Sequence, residues 1–184
     1  MADGLFYNDL REPFISADIS AVTLSTTDLA LYPASNFPVL GGQYWARPGK
    51  KMRIRMFGKI TTAATPGNLT FDVYYGNGGN ANGTIIVSSA AQTLVAGQTN
   101  LSWWLDLYVH CRTTGSTGTL FATGKAFFNT SVIAAGTFLL PASAAVASGS
   151  VDLTAANIIS VQAKRSGSTA ETMTVQDLEV TSLN

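Results

Sequence analysis

The chain carries one cysteine, Cys111, and one histidine, His110. A lone cysteine cannot build an intramolecular disulfide framework, so the fold must rest on apolar burial. One His and one Cys cannot supply a four-ligand zinc site, and no Asp-x-Asp-x-Asp-Gly loop offers calcium ligands. No cofactor or metal is expected. Charge is scarce too, at 12% of residues with 11 cations against 11 acids, where a soluble domain usually carries about a quarter. Zero net charge gives no global pull toward nucleic acid or an anionic membrane. The least polar stretch, 131–151, is broken by Gly136, Pro141 and Gly149, so no membrane span is expected. The first ten residues lack the positive and apolar regions of a secretory signal, which points to synthesis in the cytoplasm. Helical periodicity is missing as well.

What is present is alternation. The chain is 46% hydrophobic, and its apolar residues recur every second position, the period of a half-buried strand. Met52, Ile54, Met56 and Ile60 alternate with Lys51, Arg53, Arg55 and Lys59, and Phe57 is the one apolar residue out of phase. Leu69, Phe71, Val73 and Tyr75 alternate with Thr70, Asp72 and Tyr74 before a Gly/Asn-rich loop at 76–83. Leu101, Trp103, Leu105, Leu107, Val109 and Cys111 share one parity, and Trp104, Asp106, Tyr108 and His110 the other. The Thr113-Thr-Gly-Ser-Thr-Gly118 turn then predicts a hairpin into 119–128. Further strands are predicted at 150–153, 157–164 and 171–183, with a parity slip that marks a bulge near Gln176 and Asp177. Seven or more short strands with turns between them predict an all-β jelly-roll sandwich of antiparallel strands over 31–184, a barrel being the nearer competitor. Residues 1–30, acidic and irregular in their apolar spacing, are read as an extended N-terminal arm.

Catalytic constellations fail on geometry. His110 and Cys111 are adjacent on a predicted strand and so face opposite ways. Asp106 lies four residues before His110, about 13 Å along a strand. No Gly-x-Ser-x-Gly elbow is present, and Gly76-x-Gly78-x-x-Ala81 is followed by a strand-like Thr84-Ile-Ile-Val87 where a dinucleotide site needs a helix. The chain is therefore read as no enzyme. Three features remain as candidate contact surfaces. Arg47, Lys50, Lys51, Arg53, Arg55 and Lys59 form a basic cluster, four of them on one strand face. They suit an acidic protein surface or, less well at zero net charge, nucleic acid or a polyanionic sugar, and the plain alternative is a solvated strand whose cations discourage edge pairing. Trp104, Tyr108 and Tyr74 lie on outward parities, which suits a subunit interface or a sugar-stacking platform. Leu5, Phe6, Tyr7 and Phe14 give the arm apolar side chains to bury on a neighbour.

Several segments carry a resemblance. Pro48-Gly-Lys-Lys-Met-Arg-Ile54 with Gly58, the 68–76 strand, 103–112 followed by 114–118 and 122–124, and Val151-Asp-Leu-Thr-Ala-Ala-Asn-Ile-Ile-Ser-Val161 occur in an order that resembles the jelly-roll virion proteins of tailed bacteriophages. The resemblance implies a capsid decoration or cement protein on the capsid exterior of the virion. The implied partners are the major capsid protein and the chain itself, as a homotrimer, with no nucleic acid and no membrane. The arm, with Arg47, Lys51, Arg53, Arg55 and Lys59, would contact the capsid or a neighbour. A carbohydrate-binding tail or fibre module for host attachment, using Trp104, Tyr108 or Tyr74, is the rival from another class.

Overall fold

In strand β3 (Lys51–Thr61) every second side chain, from Met52 to Ile60, is buried while the residues between reach the surface. The same rule builds the rest of the computed structural model, which describes residues 17–183. Its other strands are β1 (Val22–Thr23), β2 (Leu29–Ala30), β4 (Asn68–Gly76), β5 (Thr84–Ser88), β6 (Gln92–Thr93), β7 (Leu101–Thr113), β8 (Thr119–Phe128), β9 (Thr137–Leu140), β10 (Ile158–Arg165) and β11 (Thr172–Ser182). The only helical element among the described residues is a single 3-10 turn, Ala34–Asn36.

Two antiparallel sheets face each other as a jelly-roll sandwich. One has six strands in the order β1-β11-β3-β7-β8-β9, the other the order β2-β10-β4-β5 with β6 beside β4. Between them lies a single core, centred on the aromatic group Phe71, Trp103, Phe128 and Phe138, whose ring centroids lie 5.7–6.1 Å apart. Gly58 makes room for it. A Cβ there would lie 2.0 Å from the Thr174 carbonyl oxygen and 3.0 Å from the Trp103 ring.

The hairpin at 113–118 and the bulge between Val175 and Asp177 are where the sequence places them. The strand expected at 150–153 is reduced to one bridge, Gly118 to Val151, while β9 lies between the strands expected at 119–128 and 150–153, where none is predicted. The described part of the segment read as an arm packs on its own chain. β1 pairs with β11 and β2 with β10, and Leu24 is buried. Residues 1–16, with Leu5, Phe6, Tyr7 and Phe14, lie outside the described residues.

The two sheets differ on their outer faces. On the five-stranded sheet the 76–83 loop folds back over the strands. Gln162 donates to the Gly79 carbonyl at 2.9 Å and accepts from the Ala81 N–H at 2.7 Å, and Asn80 accepts from the Ala30 N–H at 2.8 Å. That face is closed by its own polar groups over β10. The outer face of the six-stranded sheet has no such cover among the described residues.

Candidate functional site

The register of the six-stranded sheet brings Phe57, Trp104 and Phe127 into one row across β3, β7 and β8. Their rings stack, with centroids 5.6 Å apart for Phe57 and Trp104 and 4.3 Å for Trp104 and Phe127. All three are half-buried, so the stack presents its free edges and faces to solvent. Such pairs contribute about 0.5–1.5 kcal/mol beyond area burial. The Arg55 guanidinium lies 5.3 Å from the Phe57 centroid and 5.9 Å from that of Trp104.

The next row alternates in sign, running Glu179, Arg55, Asp106 and Lys125 across four strands and ending on Leu139 of β9. Arg53 reaches Asp106 through two hydrogen bonds of 2.8 and 2.6 Å while lying 5.3 Å over the Tyr108 ring. That carboxylate raises the Arg53 pKa further, so the guanidinium stays charged. Arg55 pairs with Glu179 at 3.2 Å and Lys59 with Asp18 at 3.1 Å.

This changes the reading of the basic stripe. Lys51, Arg53, Arg55 and Lys59 do share the outer face of β3, but Arg53, Arg55 and Lys59 are already answered by acids of their own chain. Sequence distance hides this, because the acids come from β7, β11 and the segment before β1. Arg47 lies in the turn before β3, exposed and off the strand. The face is a charge mosaic with an aromatic centre.

Trp104 also forms a wall between two hollows. One, of about 590 Å³, is lined by Trp104, Tyr108, Phe127, Leu139, Pro141 and Ala145, and the other, of about 500 Å³, by Arg55, Phe57, Trp104, Phe127 and Asn129. Leu139 is 58% exposed at the rim of the first. Phe127 and Leu139 are not singled out by the sequence, and Phe57 only as the apolar residue out of phase. Counting register across the β7–β8 hairpin was the signal that pairs Trp104 with Phe127.

Tyr74 belongs elsewhere and is corrected as an exposed aromatic. It sits on the five-stranded sheet, 5% exposed, and its hydroxyl donates to Asp28 at 2.8 Å. Lys164 lies 3.2 Å from the same carboxylate and also pairs with Asp72, which accepts from the Ser88 hydroxyl. Burial, together with the nearby Asp72 carboxylate, raises the Asp28 pKa, although Tyr74 and Lys164 act to lower it. A side chain held this way cannot stack on a sugar.

His110 faces outward against the Phe121 edge at 6.0 Å, while Cys111 turns into the core, 1% exposed. Burial, then Lys51 and Arg112, lowers the His110 pKa, and burial raises that of Cys111. Within one chain they cannot act as base and nucleophile. Among the described residues no group of three His, Cys, Asp or Glu side chains could hold a metal ion, and no helix is long and apolar enough to cross a membrane.

No family model matches the chain, and no curated protein matches it in sequence. Among solved structures it is similar to a GH43 glycoside hydrolase engineered to display both endo-xylanase and exo-arabinofuranosidase activity, at 10% identity and a TM-score of 0.35. That match covers 71% of this chain and only 29% of the hydrolase. It is also similar to a legume lectin-like domain from Entamoeba histolytica, at 8% identity and a TM-score of 0.30, covering 89% of this chain and 90% of that one. Likenesses this distant carry no argument about function.

Proposed function

We propose that the chain is a non-enzymatic structural protein that attaches to a larger assembly through the outer face of its six-stranded sheet. The assembly is the shell of a tailed bacteriophage, which the chain, as a homotrimer, decorates and cements from outside by contact with the major capsid protein. The observation that carries the reading is the Phe57–Trp104–Phe127 stack, left open on one sheet while the 76–83 loop folds over the other. Aromatic anchors framed by neutralised charge are the composition of a protein-docking surface, and they supply most of its binding energy. A surface for nucleic acid would keep its cations unpaired. The phage assignment draws on the order of segments that resembles phage jelly-roll proteins.

The test is addition of the purified full chain to capsids that lack it. Wild type is expected to decorate them, and Trp104→Ala to lower affinity at least about tenfold, the loss of one hot-spot side chain. Equal decoration by both proteins, or none by wild type, would overturn the reading. A second reading, host attachment through a glycan, is favoured by the hollow of about 590 Å³ beside Trp104 and Tyr108. Glycan binding lost in Tyr108→Ala, without capsid binding, would put it first.

A further inference from the structure

The outer face has an occupant close at hand in the chain itself. Asp18, near the start of the described residues, reaches from the sheet edge onto this face, where its carboxylate takes Lys59 at 3.1 Å and Gln176 at 3.2 Å. The Ile19 N–H bonds the Val175 carbonyl at 2.9 Å, which holds the backbone against the edge of β11. Lys59 belongs to the outward row next to Phe57. The preceding residues therefore start one row from the aromatic stack.

Length and chemistry both fit. From β11 to β9 the face spans four strand spacings, roughly 19 Å at about 4.8 Å each. Residues 1–16, when extended, can reach roughly 50 Å. The segment carries Leu5, Phe6, Tyr7, Leu10, Phe14 and Ile15, with Asp3, Asp9 and Glu12 against Arg11 alone. The face offers apolar hollows on both sides of Trp104, and its cations Lys51, Arg53, Arg55, Lys59, Arg112 and Lys125 outnumber its acids Asp18, Asp106, Asp177 and Glu179. An acidic segment studded with aromatics complements such a mosaic.

We propose that residues 1–16 dock across the outer face of the six-stranded sheet of their own chain, against Trp104, Tyr108 and Leu139, and leave it when a partner binds there. The proposal rests on that face being a docking surface and adds an internal competitor for it. Tethering raises the local concentration of the segment to about the millimolar range, so contacts too weak to hold a free peptide suffice here. The segment then shields exposed aromatics until the partner displaces it.

Cysteine pairs in the full chain test this without any partner. Leu5, Phe6, Tyr7 and Phe14 are each replaced by Cys, one at a time, in combination with Leu139→Cys, which sits at an exposed position. A second set combines them with Ile85→Cys, exposed at 42% on the opposite sheet. The native Cys111 is buried and stays silent. Under mild oxidation at least one segment position is expected to close an intramolecular disulfide to position 139 at least tenfold faster than to position 85. Equal rates, no link from any of the four positions, or covalent dimers in place of the internal link would overturn the proposal. Failure here leaves the capsid test of Trp104→Ala untouched, and failure there with the internal link formed removes the partner but not the docking of the segment.

Discussion

Trp103 and Trp104 are neighbours in the chain and stand on opposite sides of one sheet, the first packed on Phe71 and Phe128 in the core, the second stacked between Phe57 and Phe127 outside. The strand period alone produces the division. One tryptophan holds the sandwich together, and its neighbour lies half-buried on the outer face. Trp103→Ala is expected to lose about 3–5 kcal/mol, the cost of emptying a large buried site. Trp104→Ala should lose less, about 1–3 kcal/mol, the worth of two half-buried ring pairs at about 0.5–1.5 kcal/mol each. Urea denaturation of both variants checks the contrast, and equal losses would contradict it.

Gly58 lies beside Trp103 in the same sheet. A methyl group at this position collides with the Thr174 carbonyl, which belongs to the paired strand and cannot swing away. Gly58→Ala is expected to cost about 1–3 kcal/mol through overpacking. A variant that melts with wild type would show that β3 and β11 can separate there.

The paired cations predict weak salt effects. Arg53→Ala removes an ion pair that is partly exposed, so stability should fall by no more than about 1 kcal/mol, and less at high salt. Partner affinity should fall less than in Trp104→Ala. If affinity instead collapses with rising salt in wild type, the face works as a basic stripe after all.

The network around Tyr74 gives a pH dependence. Asp28 has a folded pKa above its ordinary 3.8, so the folded chain takes up this proton at a higher pH than the unfolded chain does. Its contribution to stability therefore grows as pH falls from neutral through the folded pKa, and levels off below the unfolded one. Asp28→Asn keeps an acceptor for the Tyr74 hydroxyl and abolishes the charge. At pH 7 the variant should be at least as stable as wild type, and its advantage should shrink toward pH 4. Thermal melts across that range decide, and an advantage that grows as pH falls would contradict the assignment.

Long strands were legible because alternation over eight or more residues leaves one reading. β3, β7, β8 and the bulge at Val175 all follow from parity. β1, β2 and β6 were not, since two residues cannot show a period, and β9 was hidden because both Leu139 and Leu140 are apolar across its alternation. Trp104 and Tyr108 were legible as outward aromatics. Their partners were not, because the Phe57–Trp104–Phe127 row and the Arg53–Asp106 pair depend on register between strands, and a single strand's pattern does not contain it. Tyr74 shows the same limit from the other side. Its parity is outward, but Asp28 and Lys164 reach it only after the chain has folded.

The most direct test of the docking face uses the partner itself. A benzophenone photo-crosslinker in place of the Tyr108 ring, and another at Ile85 on the opposite sheet, are introduced separately into the full chain and irradiated on decorated capsids. Capture of the major capsid protein from position 108, with none from position 85, is the result the account predicts. Capture from position 85, or from neither position on particles that carry the chain, would contradict it.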